Sequence, residues 1–573
     1  MIAVRRFTAG ICVLAGVVSS GVPPALGEDS VKAESVLIDQ ATLPDAIDLK
    51  GARPKADPST MPQAIDSLPA SLEPLVAPPS LALPNAPSQV RILELRPLTL
   101  EESIQLAEFN SPQLKAAASR VDQAKSALRA AIASWYPTVD FSASGLPEYF
   151  KSYSYQNPDF APIGANENFS REWRANSSLR VSWDLINPAR VPQIAAARDR
   201  FERTAEAYLI ALRDLRLEAQ TAYFDLQRAD EGVRIGQDSV KASLVSYRDS
   251  RARFNAGVNT KLEVLEAETQ LARDRDTLTT NLRLQGEQRR NLARVLDLPQ
   301  DVTPTAATPA RPMGLWEPSL QESIIAAYNY REELDQLILD ISINNSQANA
   351  SLAAVQPVLS FVNSTSASRF DGQSGKTSLS EIDMGDFTYG VQNSTALTAS
   401  WRLFDGGRAG AEYRRSKQAA EQSQFDFANL RDQIRFEVEQ SFLGLRAAIQ
   451  SIDTTAIEVL SSKESLRLSQ LRVQAGVGVQ REVVNNQRDL TQAELKYARA
   501  INDYNTNLAL LQRRTGLDAL IACNSVPLTG TKPEPDQEPI PIEPTPLKSA
   551  CPSVTTDGSS VDQTESSPFQ PLS

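Results

Sequence analysis

Few residues of this chain are equipped for chemistry. Among 573 residues there is no histidine, which removes the commonest general base and the commonest metal ligand. The sequence holds no nucleophile–base pair, no metal cluster and no phosphate loop. Phe404-Asp-Gly-Gly407 has the outline of a nucleotide loop but lacks the lysine that would follow. Neither an enzyme nor a cofactor is expected. What remains is a set of carboxylates in a stretch that occurs twice. The first copy is Arg253-Phe-Asn-Ala-Gly257-Val258-Asn-Thr-Lys-Leu-Glu263-Val-Leu-Glu266-Ala-Glu. The second, 219 residues on, is Arg472-Val-Gln-Ala-Gly476-Val477-Gly478-Val-Gln-Arg-Glu482-Val-Val-Asn485-Asn-Gln.

Each copy lies between two long helical patterns. Glycine tolerates the left-handed backbone that ends a helix, so each Ala-Gly-Val reads as the tip of an antiparallel helical hairpin. The repeat extends further. Glu102-Ser103-Ile104 recurs as Glu322-Ser323-Ile324, Pro137 as Pro357, Ser182-Trp183 as Ser400-Trp401, and Leu292 and Arg294 as Leu511 and Arg513. Offsets of 218 to 220 held across loops indicate a duplicated module.

Tyr208, Leu212, Leu215, Ala219, Ala222 and Leu226 step by three and four, as do Phe442 to Val459 and Leu490 to Leu511. That is coiled-coil spacing, which an ordinary helical bundle would share. The strands separate the two. In Leu179-Arg-Val-Ser-Trp-Asp-Leu185 and Leu397-Thr-Ala-Ser-Trp-Arg-Leu403 apolar and polar residues alternate. Val139–Ser144 is similar and Val358–Ser368 less regular. Leu146–Arg174 and Phe370–Gln392 read as long external loops. Pro137 and Pro357 mark helix-to-strand junctions; Asn187-Pro188 and Asp405-Gly406-Gly407 mark the return to helix. Helix 191–255 would run roughly 100 Å and its return helix 261–297 only about 55 Å at 1.5 Å per residue. Helices 112–136 and 332–356 would supply the missing length, stacked end to end on the return helices, with a linker, 300–317, at the resulting waist.

The expected organisation is a signal peptide over 1–27, a Pro-rich disordered arm over 28–97, a first repeat over 98–299, the linker, a second repeat over 318–520 and a Pro-rich disordered tail over 521–573. Arg5 and Arg6 precede an apolar run ending at the small-residue site Ala25-Leu-Gly27. Prolines crowd both flanks. Cys523 and Cys551, in the tail, can pair in an oxidising compartment or stand as two free thiols. The net charge of −12 excludes the basic balance that nucleic-acid binding needs. No apolar run after residue 27 is long enough for a membrane helix, so any membrane crossing must use strands. Four strands cannot close a barrel, and an open edge cannot face lipid. Three copies would supply twelve strands.

Residues 98–520 resemble the TolC family of outer membrane factors. The resemblance rests on the duplicated halves, the Pro137 and Pro357 junctions, the Phe404-Asp-Gly-Gly407 turn and the paired Ala-Gly-Val tips. It implies a mainly α fold with a small β part: a homotrimeric tunnel with a β-barrel in the outer membrane, an α-helical barrel across the periplasm and an equatorial collar. It implies a periplasmic adaptor (membrane fusion protein) and an inner-membrane transporter as partners, with outer-membrane lipid around the barrel. Gly257, Val258, Gly476 and Val477 match the tip residues that meet the adaptor. Glu263 and Glu482 match acids that ring the closed periplasmic aperture. Asn485 stands where a second acid is expected, with Glu266 placed to compensate from the other hairpin. A coiled-coil adaptor or a structural protein without a pore would lack two hairpins joined to paired amphipathic strands.

Overall fold

A computed structural model describes residues 67–79, 81–92, 94–156, 166–258, 260–376 and 388–521. The signal peptide, the start of the arm and the tail with its two cysteines lie outside the described residues. Among the described residues, eight α-helices and eight strands follow one another in two matching series. The first comprises β1 (Glu94–Leu98), α1 (Leu100–Asn110), α2 (Pro112–Ala133), β2 (Thr138–Gln156), β3 (Asn166–Ile186), α3 (Arg190–Asn255) and α4 (Lys261–Val295). Strands β4 (Val302–Ala306) and β5 (Leu315–Trp316) follow. The second series is α5 (Leu320–Tyr330), α6 (Glu332–Ala353), β6 (Val358–Lys376), β7 (Thr388–Ser400), α7 (Arg408–Gln474) and α8 (Gln480–Thr515), with β8 (Leu520–Ile521) last.

Local chemistry sets the helix ends twice over. Thr99 and Ser319 open α1 and α5 with the same device: each hydroxyl accepts from the backbone three residues on, and Glu102 or Glu322 reaches back. Asp405 does for α7 what no hydroxyl does. Its carboxylate accepts from Gly407 N at 2.9 Å and Ala409 N at 2.7 Å, while Gly406 and Gly407 turn the chain at φ 73° and 86°. Pro137 and Pro357 stand immediately before β2 and β6. Beside them Trp183 Nε1 donates to Trp135 O and Trp401 Nε1 to Val355 O, each at 3.0 Å. Pro188 follows Asn187, whose side chain accepts from Ala189 N at 3.1 Å and so starts α3.

Strands β2, β3, β6 and β7 form one antiparallel sheet in the order β2-β3-β6-β7. Its strands run further than alternation predicts. The expected loops 146–174 and 370–392 are largely ladder, paired as far as Gln156↔Asn166 and, between β3 and β6, Asn168↔Lys376. Backbone pairing needs no unbroken apolar face, and charges such as Lys151 and Arg171, on the same side as Tyr149 and Trp173, interrupt the alternation. At its other end β7 stops at Ser400, short of the expected Leu403. Its one neighbour, β6, begins at Val358, the partner of Ser400, and leaves Trp401–Leu403 nothing to pair with.

The helices pack side by side as one layer. Helix α3 meets α2 and α4 on one side and α6 and α8 on the other; α7 packs on α6 and α8. The short helices stack on the return helices as lengths required. Asn110, at the α1–α2 junction, donates to Leu296 O at 3.0 Å, just past α4. Tyr330, at the α5–α6 junction, abuts Gly516 at the end of α8. The main apolar cluster lies at this waist and includes Leu106, Ala219, Tyr223, Leu226, Leu292 and Leu296.

The expected disorder of 28–97 does not hold for its described part. Leu72 and Leu75 are buried in the waist cluster, Ala77 N donates to Asn110 Oδ1 at 2.9 Å, and β1 pairs in parallel with β4. Proline-rich composition limits helix and sheet interiors. It does not prevent a few leucines from docking on a core built by other elements.

Candidate functional site

Both hairpin tips end in the same hydrogen-bond pattern. Val258 N donates to Arg253 O and Gly257 N to Phe254 O; Val477 N donates to Arg472 O and Gly476 N to Val473 O. This six-to-one and five-to-two pairing needs a left-handed residue after the helix, and Gly257 and Gly476 supply it at φ 74° and 76°. The result projects Val258 and Val477 into solvent, 73 % and 71 % exposed.

The tips lie together. Arg253 Nη1 donates to Val473 O at 2.9 Å, Gln480 Nε2 to Ser246 Oγ at 2.5 Å, and Arg481 forms an ion pair with Glu266 at 2.6 Å. Three contacts thus tie one hairpin to the other near the bend. Glu266 and Asn485 line one open groove with Leu262, Leu265, Arg481 and Val484. Glu266 therefore does sit beside Asn485, but it is neutralised by Arg481. Glu482 is likewise paired, with Arg472 of its own hairpin at 3.2 Å. Glu263, in the first turn of α4, has no ion pair among the described residues.

Sequence reasoning missed these arginines. Their signal was present, since Arg253 and Arg472 open the two copies of the repeated stretch. The equivalent positions differ in use: Arg253 crosses to the other hairpin, whereas Arg472 stays within its own. Arg481 has Leu262 as its counterpart in the first copy.

Above the bend the hairpins flank a cavity of about 200 Å³ lined by polar Ser243, Ser246, Asp249 and Gln270 and by apolar Ala267, Val473 and Val483. Next to Gln270, Asp274 is 4 % exposed. Burial pushes its carboxyl above the usual range, against the hydrogen bond that Gln270 Nε2 donates at 2.9 Å and the nearby hydroxyls of Ser243 and Ser239. No group of three His, Cys, Asp or Glu residues could hold a metal among the described residues.

The sheet at the other end sorts its side chains by face. Val139, Phe141, Tyr149, Trp173, Leu179, Val181 and Trp183 share one face through the β2–β3 register, and Tyr389, Val391 and Leu397 join it from β7, on either side of polar Asn363, Thr365, Asn393 and Thr395. Except for half-buried Val181, all of the apolar and aromatic residues named are exposed. The opposite face carries Asp140, Ser142, Arg174, Asn176, Ser178 and Arg180. Trp173 packs on Tyr149 with ring centroids 5.0 Å apart. Trp183, ten residues further along β3 on the same face, is about 33 Å away along the strand. A strand tilt near 45° reduces that to about 24 Å, close to the height of the apolar band of a membrane barrel. Among the described residues, no helix is long and apolar enough to cross a membrane.

A duplicated pair of helical hairpins joined to a short sheet that exposes apolar side chains on one face is the architecture of an outer-membrane channel protomer. Comparison with known proteins agrees, and the chain belongs to the outer membrane efflux protein family, whose model matches residues 103–297 and again 326–517. The match falls once in each repeat. Protein CyaE of Bordetella pertussis is 25 % identical over 431 residues, covering 74 % of this chain and 84 % of CyaE. The crystal structure of CusC covers 80 % of this chain and 99 % of its own at TM-score 0.59 and 16 % identity. That of VceC from Vibrio cholerae covers 73 % and 96 % at TM-score 0.57 and 17 % identity. At these identities the structural likeness is one of fold.

Proposed function

We propose that three copies of this chain form a passive exit duct through the outer membrane, opened at its periplasmic tip by contact with an adaptor and an inner-membrane transporter. The duct would serve a tripartite efflux or type I secretion system. The observation that carries this reading is the sheet. Strands β2 and β7 each have one paired side, and the face they share exposes Val139, Phe141, Tyr149, Trp173, Trp183, Tyr389, Val391 and Leu397. Unpaired strand edges are not tolerated in lipid, so the edges must meet those of other copies, and three give a closed barrel of twelve strands. The channel formation named for CusC supports the same reading. The helices carry a matching signal. Phe425, Phe436, Leu443, Ile457, Leu460, Leu468 and Leu471 are all exposed on α7 and fall on one side of it at the 3.5-residue period of a helix seam.

The tip supplies the gate. Glu263, Glu266, Glu482 and Asn485 face a narrow lumen in this arrangement, with the acids partly offset by Arg472 and Arg481. Opening requires the Arg253, Gln480 and Arg481 contacts between hairpins to yield while each hairpin stays whole. Val258 and Val477, with Gly257 and Gly476 shaping their bends, are the surface an adaptor would cover.

The test is isolation of the full chain from outer-membrane fractions. A heat-modifiable trimer with single-channel conductance supports the reading. A monomer, or a protein found only in the soluble periplasm, refutes it and favours a coiled-coil adaptor. In the trimer, Glu482→Gln should change cation block; unchanged block removes Glu482 from the aperture.

A further inference from the structure

The segment between Ala77 and β1 is anchored at both ends but not along its length. Leu72 and Leu75 hold one end in the waist cluster, and pairing of β1 with β4 holds the other. Between them Leu81 is 96 % exposed, Leu83 88 %, and Val90 and Ile92 about half. Leucines presented so fully to water, on a strap whose ends are fixed, mark a surface that another molecule covers.

The lateral order of the helices identifies that molecule. One flank of the protomer is α2 with α4, then come α3 and the α6–α8 stack, and α7 forms the other flank. The sheet runs the same way, with β2 at one edge and β7 at the other. The strap belongs to the first flank, since its anchors are Asn110 at the α1–α2 junction and the cluster containing Leu292 and Val295 of α4. The opposite flank at the same height carries unpartnered apolar side chains: Ile325 of α5 is 58 % exposed, Phe436 62 % and Leu443 54 %. The heights agree because α3 meets both waist junctions one turn apart, through Arg216 to Glu108 at 2.5 Å and Arg213 to Glu332 at 2.5 Å.

We propose that the strap around Leu81 and Leu83 docks on the Ile325–Phe436–Leu443 surface of the next copy, clasping the ring at its waist. Donor and acceptor lie on opposite flanks of one chain, so the contact is head-to-tail and closes only when the rotation completes a ring. It continues the interface that the sheet edges and the α7 stripe already require, and so rests on the trimeric reading above.

The test places cysteines at Leu83 and Phe436 in full-length chains whose Cys523 and Cys551 are replaced by serine, followed by mild oxidation in the membrane. Covalent dimers and trimers on non-reducing gels, lost on reduction and absent from either single variant, are expected. Leu81→Asp with Leu83→Asp should then lower the temperature at which the heat-modifiable trimer dissociates. Three outcomes overturn the proposal. If trimers assemble and conduct but no inter-chain bond forms, or the bond forms only within one chain, the clasp is wrong and the duct stands. If no trimer assembles even without the substitutions, both fail.

Discussion

The waist and the tips are both places where helices of the two repeats meet, and they are held by different means. At the waist, the arginines of the ion pairs are buried, while Asp214 at one end of the network is exposed. Arg331 binds Glu333 and Glu437 at 3.1 and 2.6 Å, and Arg513 binds Glu333 and Asp214 at 2.7 and 2.6 Å. Burial would raise the Glu333 carboxyl, but Arg331 and Arg513 outweigh it and hold it at about 2. At the tips, both partners of one ion pair and the arginine of the other are exposed, and the apolar cluster is small: Leu466, Val473 and Val483. Exposed pairs are worth roughly 0–1 kcal/mol, whereas stripping one partner from a buried pair costs about 3–5 kcal/mol. In the proposed channel the waist is the fixed point, and the tips are the part proposed to rearrange on partner contact.

Removing a waist acid should have the largest effect. Glu333→Ala leaves Arg331 and Arg513 buried without their shared partner and should cost about 3–5 kcal/mol, read as a lowered denaturation midpoint by circular dichroism. Equal losses for Glu333→Ala and Glu266→Ala would erase the distinction between the regions. Leu292→Ala, at a fully buried position of the cluster, should cost about 2–5 kcal/mol. A loss under about 1 kcal/mol would show that the waist is loosely packed.

Acid should act on the waist in a defined window. The folded value for Glu333 lies below its ordinary 4.5, so its contribution is complete above pH 4.5 and is lost as pH falls towards 2. Glu333→Gln should flatten the stability profile over that range, and an unchanged slope would assign acid sensitivity elsewhere. Asp274 has the opposite sign. Its raised value means that the charged form weakens the fold as pH rises, so Asp274→Asn should be neutral or stabilising at pH 7. The smallest effect on stability belongs to Arg481→Ala, within about 1 kcal/mol, yet it should raise the open probability of single channels. A large stability loss with unchanged gating would reverse the roles of the two regions.

Much of this was legible in the residues. Glycine at Gly257 and Gly476 announced the bends, the constant offset announced the duplication, and periodic runs gave α3 and α4 to within a few residues and the middle of α7 and α8. Helix lengths alone required the stacking that Asn110 and Leu296 complete. What stayed hidden depends on neighbours. The outer halves of β2, β3, β6 and β7 are held by backbone pairing, and charges such as Lys151, Arg171 and Arg369 interrupt the period of their side chains. The packing of Leu72 and Leu75 depends on a core assembled from distant segments. Arg481 gave no sign in the sequence of reaching Glu266, because that contact exists only once two hairpins 200 residues apart lie side by side.

The most direct test of a movable tip on a fixed waist is to lock the tip and record current. Glu266→Cys with Arg481→Cys, in full-length trimers lacking the native tail cysteines, would be joined by a short reducible thiol cross-linker in a planar bilayer. Cross-linking should abolish opening and reduction should restore it, with the trimer intact throughout. Conductance that persists with the two hairpins covalently joined would contradict the account.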